Sequence, residues 1–363
     1  MRVLVTGAEG FIGKNMVAHL KDIHEVFVFD TSSDISTLTG IVRDCDFIFH
    51  LAGVNRPDNP SQFYKGNTDF TETLVNTIES NGLSIPIVFS SSAQVGNGSD
   101  YAKSKEEAEN ILEEYGRRTG SKVHIYRLPG VFGKWCRPNY NSVVATFCHN
   151  IANNLPITIS DPDIELTLTY IDDVIDEFIN VMSGNPSELV THKVTLGRIA
   201  QLLEQFRDSR ITLSVPNVSD LFSKKLHATY LSYLPEDDFS YPLKMNVDDR
   251  GSFTEILRTE YHGQFSVNIA KPGIVKGNHW HNTKNEKFLV VGGEGVIRFR
   301  HVDNARDGKV IEYHVSGNKM EVLDIPPGYT HNIENTGDVD LITFMWCNER
   351  FEQNKPDTIF LGV

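Results

Sequence analysis

Three histidines and one glutamate in the last third of the chain have the spacing of a metal site. His279 and His281 are separated by one residue, Glu286 follows five positions later, and His331 lies further along the chain. Residues two apart on a strand project from the same face, so His279 and His281 can converge on one point. Imidazole nitrogens and a carboxylate suit zinc, iron, manganese or nickel, and the residue types do not choose among them. The pattern predicts one divalent metal ion bound by these four residues.

A tyrosine and a lysine in the first half of the chain have the spacing of a proton relay. Tyr101 and Lys105 are four residues apart, so on a helix they share one face. An ammonium group beside a phenol lowers the phenol pKa, which would make Tyr101 a proton donor or acceptor at a carbonyl oxygen. A serine hydroxyl at the end of the preceding apolar segment could hold the same oxygen.

The chain opens with a glycine-rich segment, VTGAEGFIG, directly after an apolar strand. Gly7 and Gly10 would let the backbone approach a pyrophosphate, and Gly13 would permit close packing of helix on strand. The helix N-terminus then supplies N–H donors and a favourable dipole. Asp30 lies close to the ~20-residue offset of the acid that binds the adenosine ribose, and such an acid favours NAD(H). These residues predict a dinucleotide-binding site.

Two kinds of pattern divide the chain. Residues 1–236 alternate short apolar strands with amphipathic helices, which predicts a doubly wound parallel α/β sheet of the Rossmann type. Its predicted strands are 2–6, 25–30, 47–50, 87–91 and 122–128, and its predicted helices are 11–21, 70–80, 102–118 and 143–152. After a linker near 235–243, residues 243–363 predict an all-β barrel or jelly roll. Its predicted strands are 264–270, 287–291, 295–301, 310–315, 320–325 and 340–346.

Composition narrows the partners and the compartment. A net charge of -14 argues against nucleic acid as a partner. The four cysteines form no CxxC pair, which indicates a reducing cytoplasm and no cysteine-based zinc site. No apolar run approaches the ~20 residues of a membrane-spanning helix, and we see no signal-peptide pattern at the N-terminus. We therefore expect a cytoplasmic protein that does not bind membranes.

The N-terminal part resembles the extended short-chain dehydrogenases/reductases that act on nucleotide sugars. The resemblance is carried by TGAEGFIG, HLAG from His50, SSSAQVG, YAKSK and RLPGVFG from Arg127. It implies that Ser92, or as a fallback Ser91, is the catalytic hydroxyl beside Tyr101 and Lys105. Only eight residues separate Ser92 from Tyr101, so the lid over the sugar is short.

The same resemblance implies two sets of ligand contacts. The cofactor would contact Gly7, Gly10, Phe11, Ile12, Asp30, Leu51, Ala52, Gly53, Tyr101, Lys105 and Pro129. The nucleotide diphosphate would lie near Lys134, Arg137 and Asn141.

The metal pattern resembles the two cupin motifs. The stretch DRGSFTE from Asp249, with PGIVKGNHWH and the lysine after Glu286, also resembles the 3,5-epimerases of 4-keto-6-deoxy sugars. In those enzymes the position matching His279 acts as a base without metal. If metal occupies His279 here, the base must be another residue or a metal-bound water. This resemblance implies that Lys287 stabilises an enolate, and Lys276 is a candidate phosphate contact.

A reductase domain followed by a metal-bearing cupin resembles the CapF family of bifunctional capsular polysaccharide enzymes. That resemblance implies a UDP-linked 2-acetamido-2,6-dideoxy-4-hexulose whose C3 is inverted by the cupin domain. The first domain would then reduce C4 to the 6-deoxy-talosamine sugar, UDP-2-acetamido-2,6-dideoxy-L-talose, the precursor of UDP-N-acetyl-L-fucosamine. Inversion must come first, because the 4-keto group acidifies the C3 proton and reduction removes that acidity.

The family resemblance also implies NADPH, one divalent metal that we expect to be zinc, and a homodimer. The NADH preference indicated by Asp30 stays open beside it. Two other functions also stay open. One is the same pair of steps on a dTDP-linked 4-keto-6-deoxyhexose, which pocket space for an N-acetyl group would decide. The other is a non-catalytic dinucleotide sensor with a ligand-binding cupin, against which the intact proton relay argues.

Overall fold

The computed structural model describes residues 1–260, 263–303, 308–350, 354 and 356–363. The chain forms two compact units, one of residues 1–204 and 218–236 and the other of residues 205–217 and 237–363. Within the second unit, the N–H of Val215 donates to the carbonyl of Arg258 at 2.7 Å, and the N–H of Arg258 donates to that of Leu213 at 2.6 Å. These bonds tie residues 205–217 to the β domain, by which we mean the second unit.

The first unit is built on a parallel sheet whose strands pair in the order β2-β1-β3-β4-β5. These strands are β1 Arg2–Thr6, β2 Glu25–Phe29, β3 Phe47–His50, β4 Ile87–Ser92 and β5 Val123–Leu128. A smaller sheet pairs β6 Gly130–Phe132, β7 Glu165–Tyr170 and β8 His192–Thr195. The parallel sheet confirms the predicted Rossmann-like α/β fold.

Helices alternate with these strands and continue beyond them. They are α1 Phe11–Leu20, α2 Leu38–Asp44, α3 Ser61–Phe63, α4 Phe70–Ser80, α5 Asp100–Thr119, α6 Val143–Ala152, α7 Ile171–Met182, α8 Leu196–Thr212 and α9 Leu221–Leu231. A π-helical turn spans Tyr64–Asp69, and 3-10 turns span Ile35–Thr37 and Glu236–Asp238. No helix in the described part of the chain is long and apolar enough to cross a bilayer.

Strand β1 shows why the strands of the parallel sheet are continuous apolar runs. Leu4 packs on one face of the sheet with Leu74 of α4, whereas Val3 and Val5 pack on the other face with Phe178 of α7. All five side chains are fully buried. Burial of one such side chain stabilises the fold by roughly 1.5–3 kcal/mol. The strand order reverses between β1 and β3, and ligands of open α/β sheets bind at the carboxyl edge of such a reversal.

The β domain contains two antiparallel sheets, in the orders β16-β13-β18-β11-β10-β9 and β15-β14-β17-β12-β19. The strands are β9 Met245–Asp248, β10 Gly251–Arg258, β11 Gln264–Ala270, β12 Val275–Trp280, β13 Glu286–Gly292, β14 Glu294–His301, β15 Val310–Ser316, β16 Val322–Ile325, β17 Tyr329–Asn335, β18 Leu341–Cys347 and β19 Ile359–Phe360. Apolar side chains of both sheets, such as Phe288 and Ile333, form one core between them. The predicted all-β domain is confirmed.

Candidate active site and metal centre

The glycines after β1 shape the carboxyl edge of the parallel sheet. Gly7 has a φ of +67°, and a Cβ there would lie 2.7 Å from the backbone nitrogen of Ala52. A Cβ on Gly13 would lie 2.0 Å from the Gly7 carbonyl oxygen. Neither position has room for a side chain, because the loop after β3 and the start of α1 both pack on the Gly7 loop.

The other predicted cofactor contacts lie along the same edge. Gly10 directly precedes α1, Phe11 and Ile12 open it, Leu51 to Gly53 follow β3, and Pro129 follows β5. Phe11, Ile12 and Leu51 are half-buried against the core between the sheet, α1 and α7. The structure therefore places all of these residues at the carboxyl edge of the sheet, those of α1 and of the loop after β3 at the reversal of strand order and Pro129 two strands further along.

Asp30 follows β2 and is held beside the glycine loop. Its carboxylate accepts the backbone N–H of Glu9 at 2.7 Å and that of Thr31 at 2.8 Å. The next residues, 31–37, contain no lysine or arginine that could neutralise a phosphate. A fixed negative charge therefore stands at the position expected for the acid that binds the adenosine ribose.

Ser92, Tyr101 and Lys105 come together between β4 and α5. Ser92 ends β4, and the Ser99 hydroxyl caps α5 by accepting the Ala102 N–H at 3.2 Å. Tyr101 and Lys105 then lie in the first two turns of the helix. Burial raises the pKa of Tyr101, and a hydrogen bond from Ser92 only partly offsets this. Tyr101 is therefore a protonated phenol at neutral pH, ready to donate.

Ser91 has a different environment from its neighbour. Its hydroxyl donates to Glu109 within the protein interior, and the Arg127 guanidinium binds the same carboxylate with Nε at 3.0 Å. Adjacent residues on a strand face opposite sides of the sheet. The structure therefore brings Ser92, and not Ser91, to Tyr101.

Lys105 is fully buried beside the loop that follows β3. Its ammonium donates to the Ser90 carbonyl at 3.0 Å, and burial lowers its pKa to about 8 although Glu109 opposes the shift. A Cβ on Gly53 would lie 2.9 Å from the Lys105 Nζ, so glycine leaves room for the ammonium. The expectation that Lys105 lowers the pKa of Tyr101 is not what the structure shows, since Ser92 supplies the lowering contact.

Asn67 is a positioning residue that the sequence patterns do not mark. It lies fully buried in the π-helical turn, and its Oδ1 accepts the Val54 N–H at 2.8 Å. Its Nδ2 donates to the Val54 carbonyl at 3.0 Å and to the Ser104 hydroxyl at 2.9 Å. Asn67 thereby fixes the loop after Gly53 to the helix of Tyr101. Single π-helical turns often occur at functional sites, but periodicity does not predict them.

The predicted diphosphate contacts fall into two groups. Lys134 forms an ion pair with Asp172, so its charge is already compensated. The Arg137 guanidinium lies 5.2 Å from the ring centre of Tyr140, and the Arg56 guanidinium lies 6.0 Å from the same ring.

Arg56 also donates to the Tyr140 carbonyl. Asn141 is the next residue and is exposed. Two guanidinium groups thus flank one tyrosine beside Asn141, and sequence reasoning missed Arg56.

The four predicted metal ligands converge in the β domain. His279 and His281 come from β12 and the turn after it, Glu286 opens β13, and His331 lies in β17. One possible ligand atom from each residue lies within 4.8 Å of all the others. Glu286 Oε2 lies 3.4 Å from His281 Nε2 and 3.3 Å from His331 Nε2. All three atoms are buried and have no hydrogen-bond partner of good geometry. Buried polar atoms normally have a partner, and a metal ion bound among these atoms would supply it.

The protonation states of these residues also favour the binding of a cation. Burial, with a smaller contribution from His331, lowers the pKa of His279 to about 4, so the ring is neutral near pH 7. Burial raises the pKa of Glu286, but His281, His331 and Lys284 outweigh this and hold it well below its usual range. Neutral imidazoles and an ionised carboxylate are the forms that bind divalent metals.

The two predicted lysine contacts of the β domain do not reach this group. Lys287 follows Glu286 on β13 and therefore faces the opposite side of the strand, where its ammonium pairs with Asp324. Lys276 donates to the Ile269 carbonyl at 2.8 Å, to Asn268 Oδ1 at 3.0 Å and to the Ser252 carbonyl at 3.4 Å. Its three donors have three partners inside the domain, which leaves none for a phosphate.

Comparison with known proteins agrees with this division of the chain. Residues 3–194 match the NAD dependent epimerase/dehydratase family, and residues 246–359 match the polysaccharide biosynthesis C-terminal domain. A UDP-2-acetamido-2,6-beta-L-arabino-hexul-4-ose reductase of Pseudomonas aeruginosa is 45% identical over 100% of this chain and 99% of its own length.

Solved structures give the same result. The crystal structure of the capsular polysaccharide assembling protein CapF from Staphylococcus aureus is 51% identical, covers both chains fully and has a TM-score of 0.95. A UDP-glucose 4-epimerase of Thermotoga maritima, 20% identical over 64% of this chain and 98% of its own with a TM-score of 0.55, shares the fold alone.

Fold, site and comparisons together define a nucleotide-sugar enzyme of the epimerase/reductase class that uses a nicotinamide cofactor and carries a second, all-β domain. Within that class, the chain belongs to the CapF family of bifunctional capsule biosynthesis enzymes.

Proposed function

We propose that the protein inverts C3 and then reduces C4 of a UDP-linked 2-acetamido-2,6-dideoxy-4-hexulose, giving UDP-2-acetamido-2,6-dideoxy-L-talose. The observation that carries the proposal is the contact between Ser92 and a Tyr101 phenol whose pKa is raised, in a domain that binds a nicotinamide cofactor. The name of the P. aeruginosa relative supports the reduction step and the UDP-sugar class.

In the reduction, a nicotinamide held at the residues of the glycine loop would supply a hydride to C4. Tyr101 donates the proton that the C4 oxygen needs as it becomes a hydroxyl, because its raised pKa keeps the phenol protonated at neutral pH. The Ser92 hydroxyl, already in contact with Tyr101, holds the same oxygen. Lys105, one turn beyond Tyr101 on α5, donates to the Ser90 carbonyl and so ties the helix of Tyr101 to the strand of Ser92.

In the inversion, the β domain works on the acidic C3 proton of the 4-keto sugar. His279, His281, Glu286 and His331 would hold a divalent metal ion, and zinc, which we expect, is one of the metals that such ligands suit. Such an ion supplies positive charge to a carbonyl or enolate oxygen. Since Lys287 faces away from these ligands, we assign no enolate contact to it.

Asp30 supports NADH as the cofactor. Its carboxylate is fixed beside the glycine loop, and like charges a few ångströms apart repel by roughly 1–4 kcal/mol at and near a protein surface. A 2′-phosphate at this position would meet that repulsion with no lysine or arginine in residues 31–37 to offset it.

The proposal is tested by product analysis with purified full-length protein, the UDP-linked 4-keto sugar and NADH. Wild-type protein should yield a sugar reduced at C4 and inverted at C3. Tyr101→Phe should keep its affinity for NADH and lose reduction by about 100- to 10,000-fold, the range for removal of a general acid. Tyr64→Phe is a matched control, because the Tyr64 hydroxyl donates to an exposed carboxylate, that of Asp100 at 3.4 Å. Undiminished reduction by Tyr101→Phe would remove Tyr101 as the proton donor.

A further inference from the structure

The loop between His281 and Glu286 contains a lysine that contacts a metal ligand. The Lys284 ammonium lies 3.1 Å from Glu286 Oε1, and the Lys284 side chain is only 13% exposed. The other carboxylate oxygen, Oε2, faces His281 and His331. Lys284 therefore occupies one oxygen of Glu286 and leaves the second oxygen free to bind a cation among the histidines.

The same loop is held from its other side by Asp357, which lies 75 residues beyond Asn282. The Asp357 carboxylate accepts the backbone N–H groups of Asn282 at 3.0 Å, Thr283 at 2.7 Å and Lys284 at 2.9 Å. Successive N–H groups aimed at one anion form a strong backbone binding site. Asp357 thus fixes the conformation of the loop that carries Lys284.

Asp357 also determines which ring nitrogen of one histidine carries a proton. Its backbone carbonyl contacts His281 Nδ1 within hydrogen-bond distance. A carbonyl oxygen can only accept, so His281 Nδ1 must carry the proton. The lone pair of the neutral ring is then on Nε2, the atom that faces Glu286 Oε2.

The segment around Asp357 is anchored to the strand of the histidines. Strand β19 pairs with His279 and Trp280 of β12, and the N–H of Leu361 donates to the Asn278 carbonyl at 2.9 Å. The segment that follows Asp357 is therefore tied to the strand that carries His279.

We propose that Lys284 and Asp357 are positioning residues of the metal centre, Lys284 by orienting Glu286 and Asp357 by orienting His281 and the loop between the ligands. This inference rests on the proposed metal site. Partners that orient metal ligands typically contribute 10- to 100-fold to metal affinity. Lys284 and Asp357 have that relation to a carboxylate and an imidazole ligand, respectively.

The test is zinc affinity, measured on full-length protein stripped of metal and titrated with Zn²⁺ against a competing chelator. Lys284→Met and Asp357→Ala should each raise the zinc dissociation constant about 10- to 100-fold. Lys319→Met and Asp248→Ala are matched controls, because they remove an exposed ion pair with Glu321 and a carboxylate that caps the Arg250 N–H in a surface turn. Both controls should bind zinc like wild type.

A second measurement separates positioning from general stability. Thermal unfolding of the metal-free proteins reports folding alone, so a purely structural role would lower that midpoint and leave zinc affinity unchanged. That result for both variants would overturn the proposal. If Lys284→Met and Asp357→Ala both bound zinc with the affinity of the wild type, the proposal would be overturned as well. Failure of wild-type protein to bind zinc would instead remove the metal site itself.

Discussion

Glu286 and Lys287 are neighbours on β13 and face opposite sides of that strand. The Glu286 carboxylate lies among the histidine rings of the ligand group, whereas the Lys287 ammonium pairs with Asp324 at the surface. Side chains alternate between the two faces of a strand, so one residue of offset decides which of them reaches a substrate.

Lys287→Met tests this placement. Because the Lys287 side chain is 50% exposed and its partner is 74% exposed, loss of the pair should change stability by about 1 kcal/mol or less. The rate of C3 proton exchange, followed by NMR, should stay within about twofold of wild type, far from the 100-fold or greater loss typical of a removed catalytic group. A loss of that larger size would return Lys287 to the catalytic site.

Asp30 should set the preference between the two nicotinamide cofactors. We expect kcat/KM for NADH to exceed that for NADPH by about tenfold or more, since 1.4 kcal/mol of repulsion corresponds to a factor of ten. Asp30→Asn keeps an oxygen for the Glu9 N–H and should reduce this ratio by improving NADPH.

Asp46→Asn is its control, because Asp46 also accepts a backbone N–H, that of Arg2 at 2.8 Å, at the other end of β1. An enzyme that prefers NADPH, as the family resemblance implies, would refute this role of Asp30.

Because of Lys105, the free energy of unfolding should change with pH in the alkaline range. Its pKa is about 8 in the fold and 10.5 in an exposed chain, so between these values the unfolded state binds more protons and stability rises with pH. The rise, taken relative to Lys105→Met and without cofactor, should total about 3 kcal/mol. Chemical denaturation at a series of pH values measures it. Parallel curves for the two proteins would mean that Lys105 is not desolvated.

The pair of guanidinium groups at Tyr140 should bind the diphosphate of the substrate. Arg56→Gln and Arg137→Gln should each raise KM for the UDP-sugar about tenfold and leave kcat nearly unchanged, the pattern of a contact made equally in ground and transition states. Arg117→Gln, which removes an exposed helix ion pair with Glu114, is the control. Steady-state kinetics and calorimetry with UDP measure the effect, and an unchanged KM in both variants would place the diphosphate elsewhere.

Local sequence patterns predict those helices and strands in which apolar residues recur with one period along the whole element. The predicted bounds of strand β11 match the observed ones, because Phe265, Val267 and Ile269 alternate with polar residues between clear breaks. The bounds of strands β12 and β17 are not predicted, although the metal pattern places His279 on a strand, since their glycine and polar ligand residues do not give an apolar alternation. Strands that carry functional residues are where such patterns are expected to fail.

Contacts between distant residues could not be predicted from spacing. The pairing of Tyr101 with Lys105 can be predicted from the sequence because both residues lie on one helix. The histidine pattern can be predicted because its closely spaced residues lie on one strand and the turn after it. Asp357, by contrast, is distant in the sequence from the loop between His281 and Glu286, and folding alone brings the two into contact.

The central claim is tested most directly by proton exchange in heavy water. Full-length protein is incubated with the UDP-linked 4-keto-6-deoxy-N-acetyl sugar in the absence of nicotinamide, and C3 is followed by NMR. We predict deuterium at C3, and then a C4-reduced, C3-inverted product once NADH is added. Oxidation of the nicotinamide with no prior exchange at C3 would contradict the account and leave a reductase with a single activity.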